Sequence, residues 1–71
     1  SNKPKPMNTT TTLIHTKDYE VVAEAYVSDE ELEVTNIMYH CNKSAQAIDI
    51  TDFIYDYFDT NDLEQQIFNN Q

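Results

Sequence analysis

The side chains best suited to chemistry in this chain are two histidines, one cysteine and a large set of carboxylates. His40 and Cys41 are adjacent, and His15 could lie on a neighbouring strand, which would bring three zinc-type ligands together. Their spacing follows neither the CxxC nor the HxxxH pattern of zinc sites. Cys41 also lacks an evident base and orienting group that would make it a nucleophile. We therefore expect no metal, no cofactor and no catalytic residue.

A second chemical reading concerns the acids near the carboxyl terminus. Asp59, Asn61 and Asp62 resemble the first ligands of a calcium-binding loop, but Leu63 breaks the pattern and the loop glycine is missing. Carboxylate pairs that cleave glycosidic bonds need a cleft, and a chain of 71 residues leaves little room for one. These observations favour a protein that acts by binding and is not an enzyme.

The charge balance indicates what the chain could bind. Thirteen Asp and Glu residues stand against four lysines, and the formal net charge is −9 at pH 7. Such a surface repels nucleic acid and anionic lipid and attracts basic proteins. No apolar run approaches the ~20 residues of a membrane span. We expect the partner to be a basic protein surface, that of a nucleic-acid-binding protein, with no direct contact to nucleic acid or membrane.

The length of the chain allows one small domain. We expect residues 1–10 to be a disordered tail, because they are polar and contain Pro4 and Pro6. Part of this tail need not belong to the natural protein if Met7 is its start. We expect residues 11–71 to form the domain, since five tyrosines and three phenylalanines argue against general disorder. Nothing indicates secretion, so we expect a cytoplasmic protein.

The first half of the domain has the pattern of β-strands. The predicted strands are residues 11–16, Tyr19–Val27 and 32–40, with a tight turn at residues 17–18. Residues 28–31 fit an acidic hairpin loop, although they also have capping-box spacing for a short helix. The second strand alternates, with apolar odd-numbered residues on one side and Glu20, Val22, Glu24 and Tyr26 on the other. In the third strand the apolar residues change parity, which predicts a bulge near Asn36.

After a predicted loop at residues 40–47, the pattern becomes helical. Residues 49–52 offer side-chain caps for a helix start, and Phe53, Ile54, Tyr57 and Phe58 follow at helical spacing as the face that packs on the sheet. Residues 59–62 form a second cap or break before a last helical segment. The sequence thus predicts an α+β fold: a three-stranded antiparallel β-meander followed by one or two C-terminal helices packed on one face.

Four acids fall on one side of the predicted helix. At about 100° per residue, Asp49, Asp52, Asp56 and Asp59 share an arc of about 80°. Asp49 could lie just before the helix, which would leave three acids in the row. The strand acids Glu20, Glu24 and Glu33 could extend this field across the sheet. A row of charges opposite an apolar row is also how an ordinary surface helix looks. We name these acids as candidate partner-binding residues because the chain as a whole has thirteen acids against four lysines, whereas an ordinary surface mixes both signs.

Tyr55 is a further candidate, because it falls between the apolar and acidic faces of the same helix. Tyrosine beside charge suits a protein interface, where aromatic residues serve as anchors. The alternative is a tyrosine whose hydroxyl simply reaches water, which is common on any surface.

The run Ile48-Asp49-Ile50-Thr51-Asp52-Phe53-Ile54, between a β-meander and an acidic carboxy-terminal helix, resembles small acidic proteins encoded by bacteriophages. The resemblance covers about the last two-thirds of the chain. Some proteins of this kind inhibit host defence, including anti-restriction and anti-CRISPR proteins that resemble DNA in charge. The resemblance implies such an inhibitor, with Asp49, Asp52, Asp56 and Asp59 as the residues that carry it.

Three functions remain open at this point. The first is a non-enzymatic inhibitor that binds a basic, nucleic-acid-binding surface of a host defence protein. The second is an assembly or adaptor module that binds a protein partner, or a second copy as a homodimer, through its apolar helix face or sheet edge. The third is a small regulator that binds the transcription machinery, which shares the electrostatics of the first.

Overall fold

A computed structural model describes residues 7–70 of the chain. Its elements are β1 (Met7–His15), β2 (Tyr19–Val27), β3 (Leu32–Cys41), β4 (Gln46–Asp49), α1 (Thr51–Tyr57) and α2 (Thr60–Asn69). The strands form one antiparallel sheet in the order β1-β2-β3-β4. The predicted α+β fold, a meander followed by two helices, is confirmed and gains a fourth strand.

The first strand begins earlier than predicted. β1 starts at Met7, which lies opposite Val27 of β2, and Thr10 lies opposite Glu24. Residues 7–10 of the predicted tail therefore belong to the sheet, since the threonine run continues a β-branched strand in their direction. Residues 1–6 of that predicted tail lie outside the described residues.

The loop predicted at residues 40–47 is shorter in the structure: β3 continues to Cys41, residues 42–45 form the turn of a hairpin, and β4 begins at Gln46. The turn between β3 and β4 depends on Ala45, whose φ of 56° is in the left-handed region usually taken by glycine. Because no glycine stands there, the sequence gives no clear signal for this turn. Asn42 fixes the other end of the turn: its backbone N–H donates to the Asp18 carbonyl and its side chain donates to the Lys17 carbonyl.

One face of the sheet holds the core. Val21, Ala23 and Ala25 of β2 are buried there with Ile37 of β3, and Ile67 of α2 is buried against them. Alternate residues of a strand point to opposite faces, so the predicted division of β2 into an apolar and a polar side is confirmed. The two helices cover this face, and the opposite face carries none of the buried residues.

A β-bulge in β3 lets both halves of that strand contribute to the core. Glu24 lies opposite Asn36, whereas the next residue, Ala25, lies opposite Val34, so Thr35 is the extra residue. The Thr35 hydroxyl donates to the Glu24 carbonyl at 3.0 Å. The predicted bulge near Asn36 is confirmed, and it places Val34 and Ile37 on the same face despite their spacing of three.

Helix α1 is tied directly to β3. The Ile50 N–H donates to the Ile37 carbonyl at 2.8 Å, and the Thr51 hydroxyl oxygen accepts the Ile37 N–H at 2.8 Å. Both backbone groups of a fully buried residue are thus satisfied by the N-cap and the first residue of a helix. No helix within residues 7–70 has the length and apolar character needed to cross a bilayer.

Candidate protein-binding surface

Four of the predicted site residues lie together on the sheet face opposite the helices. Strand pairing places Tyr26 and Glu33 in one cross-strand row, Glu24 and Asn36 in the next, then Met38 and Asp49, and finally Glu20 and His40. Residues directly opposite one another point to the same side of a sheet. We call Glu20, Glu24, Glu33 and Asp49 the open-face carboxylates.

Three of the open-face carboxylates are already engaged within the protein. Glu20 Oε1 is 2.7 Å from His15 Nδ1, and Glu24 Oε1 accepts from the Asn36 amide at 3.4 Å. Asp49 Oδ1 accepts the Thr51 N–H at 2.9 Å and also the Thr51 hydroxyl, and these bonds lower the pKa of the Asp49 carboxyl. These contacts orient the side chains of Glu20, Glu24 and Asp49. Within the described residues, Glu33 is the one open-face carboxylate without such a contact.

The predicted row of four helix acids is divided by the structure. Asp49 is the last residue of β4 and not part of a helix, and α1 ends at Tyr57 because Phe58 is extended, with φ −127° and ψ 157°. Asp59 is the N-cap of α2, where its side chain accepts the Asn61 N–H at 3.0 Å. The common arc predicted from one continuous helix is therefore wrong for Asp49 and Asp59.

Asp52 and Asp56 keep the predicted relationship. They lie four residues apart on α1, which puts them on one side of the helix. Ile54, the α1 residue that packs against the core, lies about 160–200° away around the helix axis at about 100° per residue. Within residues 7–70 neither carboxylate makes a hydrogen bond or ion pair, so both point to solvent and are available to a partner.

The three aromatic residues that were predicted to pack on the sheet, at α1 and its C-cap, do not do so. Phe53, Tyr57 and Phe58 are 53%, 74% and 57% exposed, whereas Ile54 alone of the predicted face packs on the core. The three rings contact one another instead: the Phe53 centroid is 5.3 Å from that of Tyr57 and 5.8 Å from that of Phe58. We call these three residues the aromatic patch.

The physical reason for this error is the length of α1. A seven-residue helix makes only two turns, and its contact with the sheet is satisfied by one inward residue, Ile54. Phe53 and Tyr57 fall on a flank about 60–100° from Ile54 at about 100° per residue. The sequence signal for the patch was the density of aromatic residues, which exceeds what so short a helix can bury.

Tyr55 lies on the other flank of α1 and joins the two helices. Its hydroxyl donates to Glu64 Oε1 at 3.3 Å. Partial burial, together with the negative charge and hydrogen bond of Glu64, raises the pKa of the Tyr55 hydroxyl. Tyr55 is 39% exposed, so part of its ring also faces solvent beside the acids of α1.

The strand register separates the residues that were considered as zinc ligands. His15 and His40 flank Glu20 on the open face, whereas Cys41 lies opposite Tyr19 and therefore points to the other face. Among the side chains of residues 7–70, no group of three His, Cys, Asp or Glu has a geometry that could hold a metal ion. The Ser44 hydroxyl and the Ser44 and Lys43 backbone lower the pKa of the Cys41 thiol.

Most of the negative charge is left uncompensated. In the described part of the chain, ion-pair distances occur at two places: His15 with Glu20 at 2.7 Å, and Lys43 with Asp18 at 3.6 Å. The histidine contributes charge only when protonated, and the lysine pair is well exposed. The molecule therefore presents a strong negative potential, with Asp52 and Asp56 on α1 next to the aromatic patch at that helix and its C-cap.

The comparisons with known proteins identify no relative from which a function could be carried over. No protein-family model, no curated protein and no solved structure gives a significant match to this chain. The resemblance to small acidic phage proteins consequently remains an expectation from the sequence, and a function has to be argued from the surface itself.

Proposed function

We propose that this chain is a non-enzymatic inhibitor that binds a basic, nucleic-acid-binding surface of a host defence protein, of the anti-restriction or anti-CRISPR type. It would act in the cytoplasm of a bacterium infected by the phage that encodes it. The observation that carries the proposal is the outer side of α1, where the unpaired carboxylates of Asp52 and Asp56 border the exposed aromatic patch.

Charge supports the part of the proposal that concerns a basic, nucleic-acid-binding surface as the target. A groove that binds duplex DNA is matched to about one phosphate charge per 1.7 Å of helix axis, so it attracts a surface with many unpaired carboxylates. Asp52 and Asp56 are held on a helix and need no rearrangement to meet lysine or arginine side chains. Complementary charge mainly speeds association and selects partners of the right sign.

The aromatic patch supports the part of the proposal that concerns specific binding to one protein, because charge alone gives little specificity. Interfaces are anchored by a few large side chains, with Tyr and Trp prominent among them. Arginine also stacks on aromatic faces, so a basic groove can engage Tyr57 and Phe58 while it pairs with the neighbouring acids. The patch and the acid pair together match a basic surface that contains an apolar recess.

The proposal can be tested by competition with DNA. Labelled duplex DNA is bound to purified bacterial restriction enzymes and CRISPR effectors, and its release is followed by fluorescence anisotropy as this protein is added. We expect release from at least one of them, with affinity that falls between about 50 and 200 mM salt. The variant Asp52→Asn/Asp56→Asn should weaken inhibition about five- to thirtyfold.

The control is the variant Asp29→Asn/Glu30→Gln, which removes the same charge from the β2–β3 turn. It should inhibit nearly as well as the wild type, since its effect is limited to the long-range field. Equal losses in both variants would show that only net charge matters. Unchanged inhibition in Asp52→Asn/Asp56→Asn would refute the role given to α1.

The exposed aromatic patch also favours a second candidate, an adaptor that docks through apolar contact. Here the variant Tyr57→Ser/Phe58→Ser would abolish binding, whereas Asp52→Asn/Asp56→Asn would leave it intact and added salt would not weaken it. The salt response and the two variants together separate the adaptor from the inhibitor.

A further inference from the structure

The outer edge of β1 is the longest unpaired strand edge in the described sheet. β1 is the first strand in the order β1-β2-β3-β4, so only its β2 side is paired over its nine residues. β4, at the opposite edge, has four residues. An unpaired edge presents a row of backbone N–H and C=O groups that can bond to another strand.

β1 also lacks the features that usually protect such an edge. Edge strands are commonly shielded by lysine, proline or inward charges, and the segment Met7–His15 contains no Asp, Glu, Lys, Arg or Pro. Its bulge lies near the carboxyl end, between Thr12 and Ile14, which leaves the threonine run regular. Ile14 is 47% exposed and Leu13 only partly buried, so apolar surface accompanies the free edge.

The charge distribution indicates which partner fits this edge. All thirteen acids lie at or beyond Asp18, so β1 is the uncharged strand of a molecule with net charge −9. A basic partner is attracted to the other surfaces and gains nothing from an uncharged edge. A second copy is repelled by those surfaces and can approach closely along β1.

We propose that β1 pairs antiparallel with β1 of a second copy, which makes a continuous eight-stranded sheet through the threonine run. In such a sheet the nearest β2 strands are three strand spacings apart, about 14 Å at ~4.8 Å per spacing. This exceeds the Debye length of about 10 Å at 0.1 M salt. Glu24 of each copy is then largely screened from the other, and cross-strand Thr–Thr contacts form the seam.

Dimerisation through β1 and binding to a basic partner should respond to added salt in opposite directions. Salt screens repulsion between two acidic copies, so dimerisation should strengthen as salt is raised. Binding to a basic partner should weaken under the same change. The two proposals can therefore fail independently, and one salt series distinguishes them.

The experiment is sedimentation equilibrium of the whole chain over a range of protein and salt concentrations. The test variant is Thr10→Lys/Thr12→Lys, whose side chains are exposed on the open face and lie opposite Glu24 and Val22 of β2. In an antiparallel pair centred on Thr11, positions 10 and 12 of one copy face positions 12 and 10 of the other, so each new lysine faces a lysine. We expect dimerisation about tenfold weaker or worse.

The matched control is Asn61→Lys/Gln65→Lys, which adds the same charge at exposed positions of α2. It should dimerise at least as well as the wild type, because it lowers the net repulsion. Amide exchange on the wild type gives a readout that needs no variant: protection of β1 amides should rise with protein concentration. A wild type that stays monomeric up to about 1 mM, or a β1 variant that dimerises as well as the control, would overturn the proposal.

Discussion

The Tyr55 hydroxyl donates to the Glu64 carboxylate at 3.3 Å, and this bond connects α1 to α2. The two helices are separated by the extended residue Phe58, so their relative orientation is not fixed by a continuous backbone helix. Tyr55 thus has a structural role between the helices in addition to its exposed position beside the α1 acids. The raised pKa of its hydroxyl follows from partial burial and from Glu64.

We expect Tyr55→Phe to lower the free energy of unfolding by about 0.5 kcal/mol at neutral pH, because one exposed hydrogen bond is lost. A pKa raised by folding gives stability that is present below the unfolded value, about 10 for tyrosine, and is lost as pH rises through the folded value. The difference between wild type and variant should therefore shrink in alkaline urea titrations. Tyr57→Phe, which alters an exposed tyrosine, should show no such change.

Loss of the Thr51 hydroxyl should lower the free energy of unfolding more than loss of the Tyr55 hydroxyl does, because the Thr51 hydroxyl accepts the N–H of the fully buried Ile37. Thr51→Val keeps the shape and removes the acceptor, which leaves a buried donor unpaired. We expect a loss of about 1–3 kcal/mol in urea denaturation. Thr51→Ser keeps the oxygen and should retain most of the stability; equal losses in both variants would show that the methyl group matters instead.

The Asp49 carboxylate gives a prediction at acid pH. The Thr51 hydroxyl and N–H lower the pKa of this carboxyl in the folded protein. The carboxylate therefore adds to the stability of the fold above its unfolded pKa of about 3.9, and this stability is lost as pH falls through the folded pKa. Thermal melts between about pH 5 and 2 should show a smaller acid-induced loss for Asp49→Asn than for the wild type. Parallel curves for the two proteins would contradict this assignment.

The left-handed Ala45 predicts a stabilising substitution. An L-residue with a Cβ atom pays about 1–2 kcal/mol in this conformation, which glycine avoids at some cost in unfolded-state entropy. We expect Ala45→Gly to raise the free energy of unfolding by roughly 0.5–1 kcal/mol. Ser44→Gly is the control, because only Ala45 among the non-glycine described residues has a positive φ, and it should not stabilise.

The elements that the sequence predicted well are those in which a local pattern and tertiary burial agree. β2 alternates because it lies in the middle of a sheet with one buried face, and its predicted bounds, Tyr19–Val27, match the structure. The change of parity in β3 located the bulge, since a strand with one buried face tolerates no other register.

The errors arise where the deciding interaction is not local. The β3–β4 turn uses Ala45 where glycine would have been recognisable, and β4 is stabilised by pairing with β3 more than by its own composition. The break at Phe58 interrupts an apolar pattern that could equally continue as one helix. That break separates Asp59 from Asp52 and Asp56. Asp49 is excluded for a different reason, because it is the last residue of β4.

The separation of the core from the open face bears on how this protein can change over time. Val22, Glu24, Asn36 and Met38 lie on a face that contains none of the buried residues. Substitutions there alter what the sheet presents to its surroundings while the residues that specify the fold are left untouched. This face of the sheet can therefore diversify in sequence faster than the scaffold beneath it.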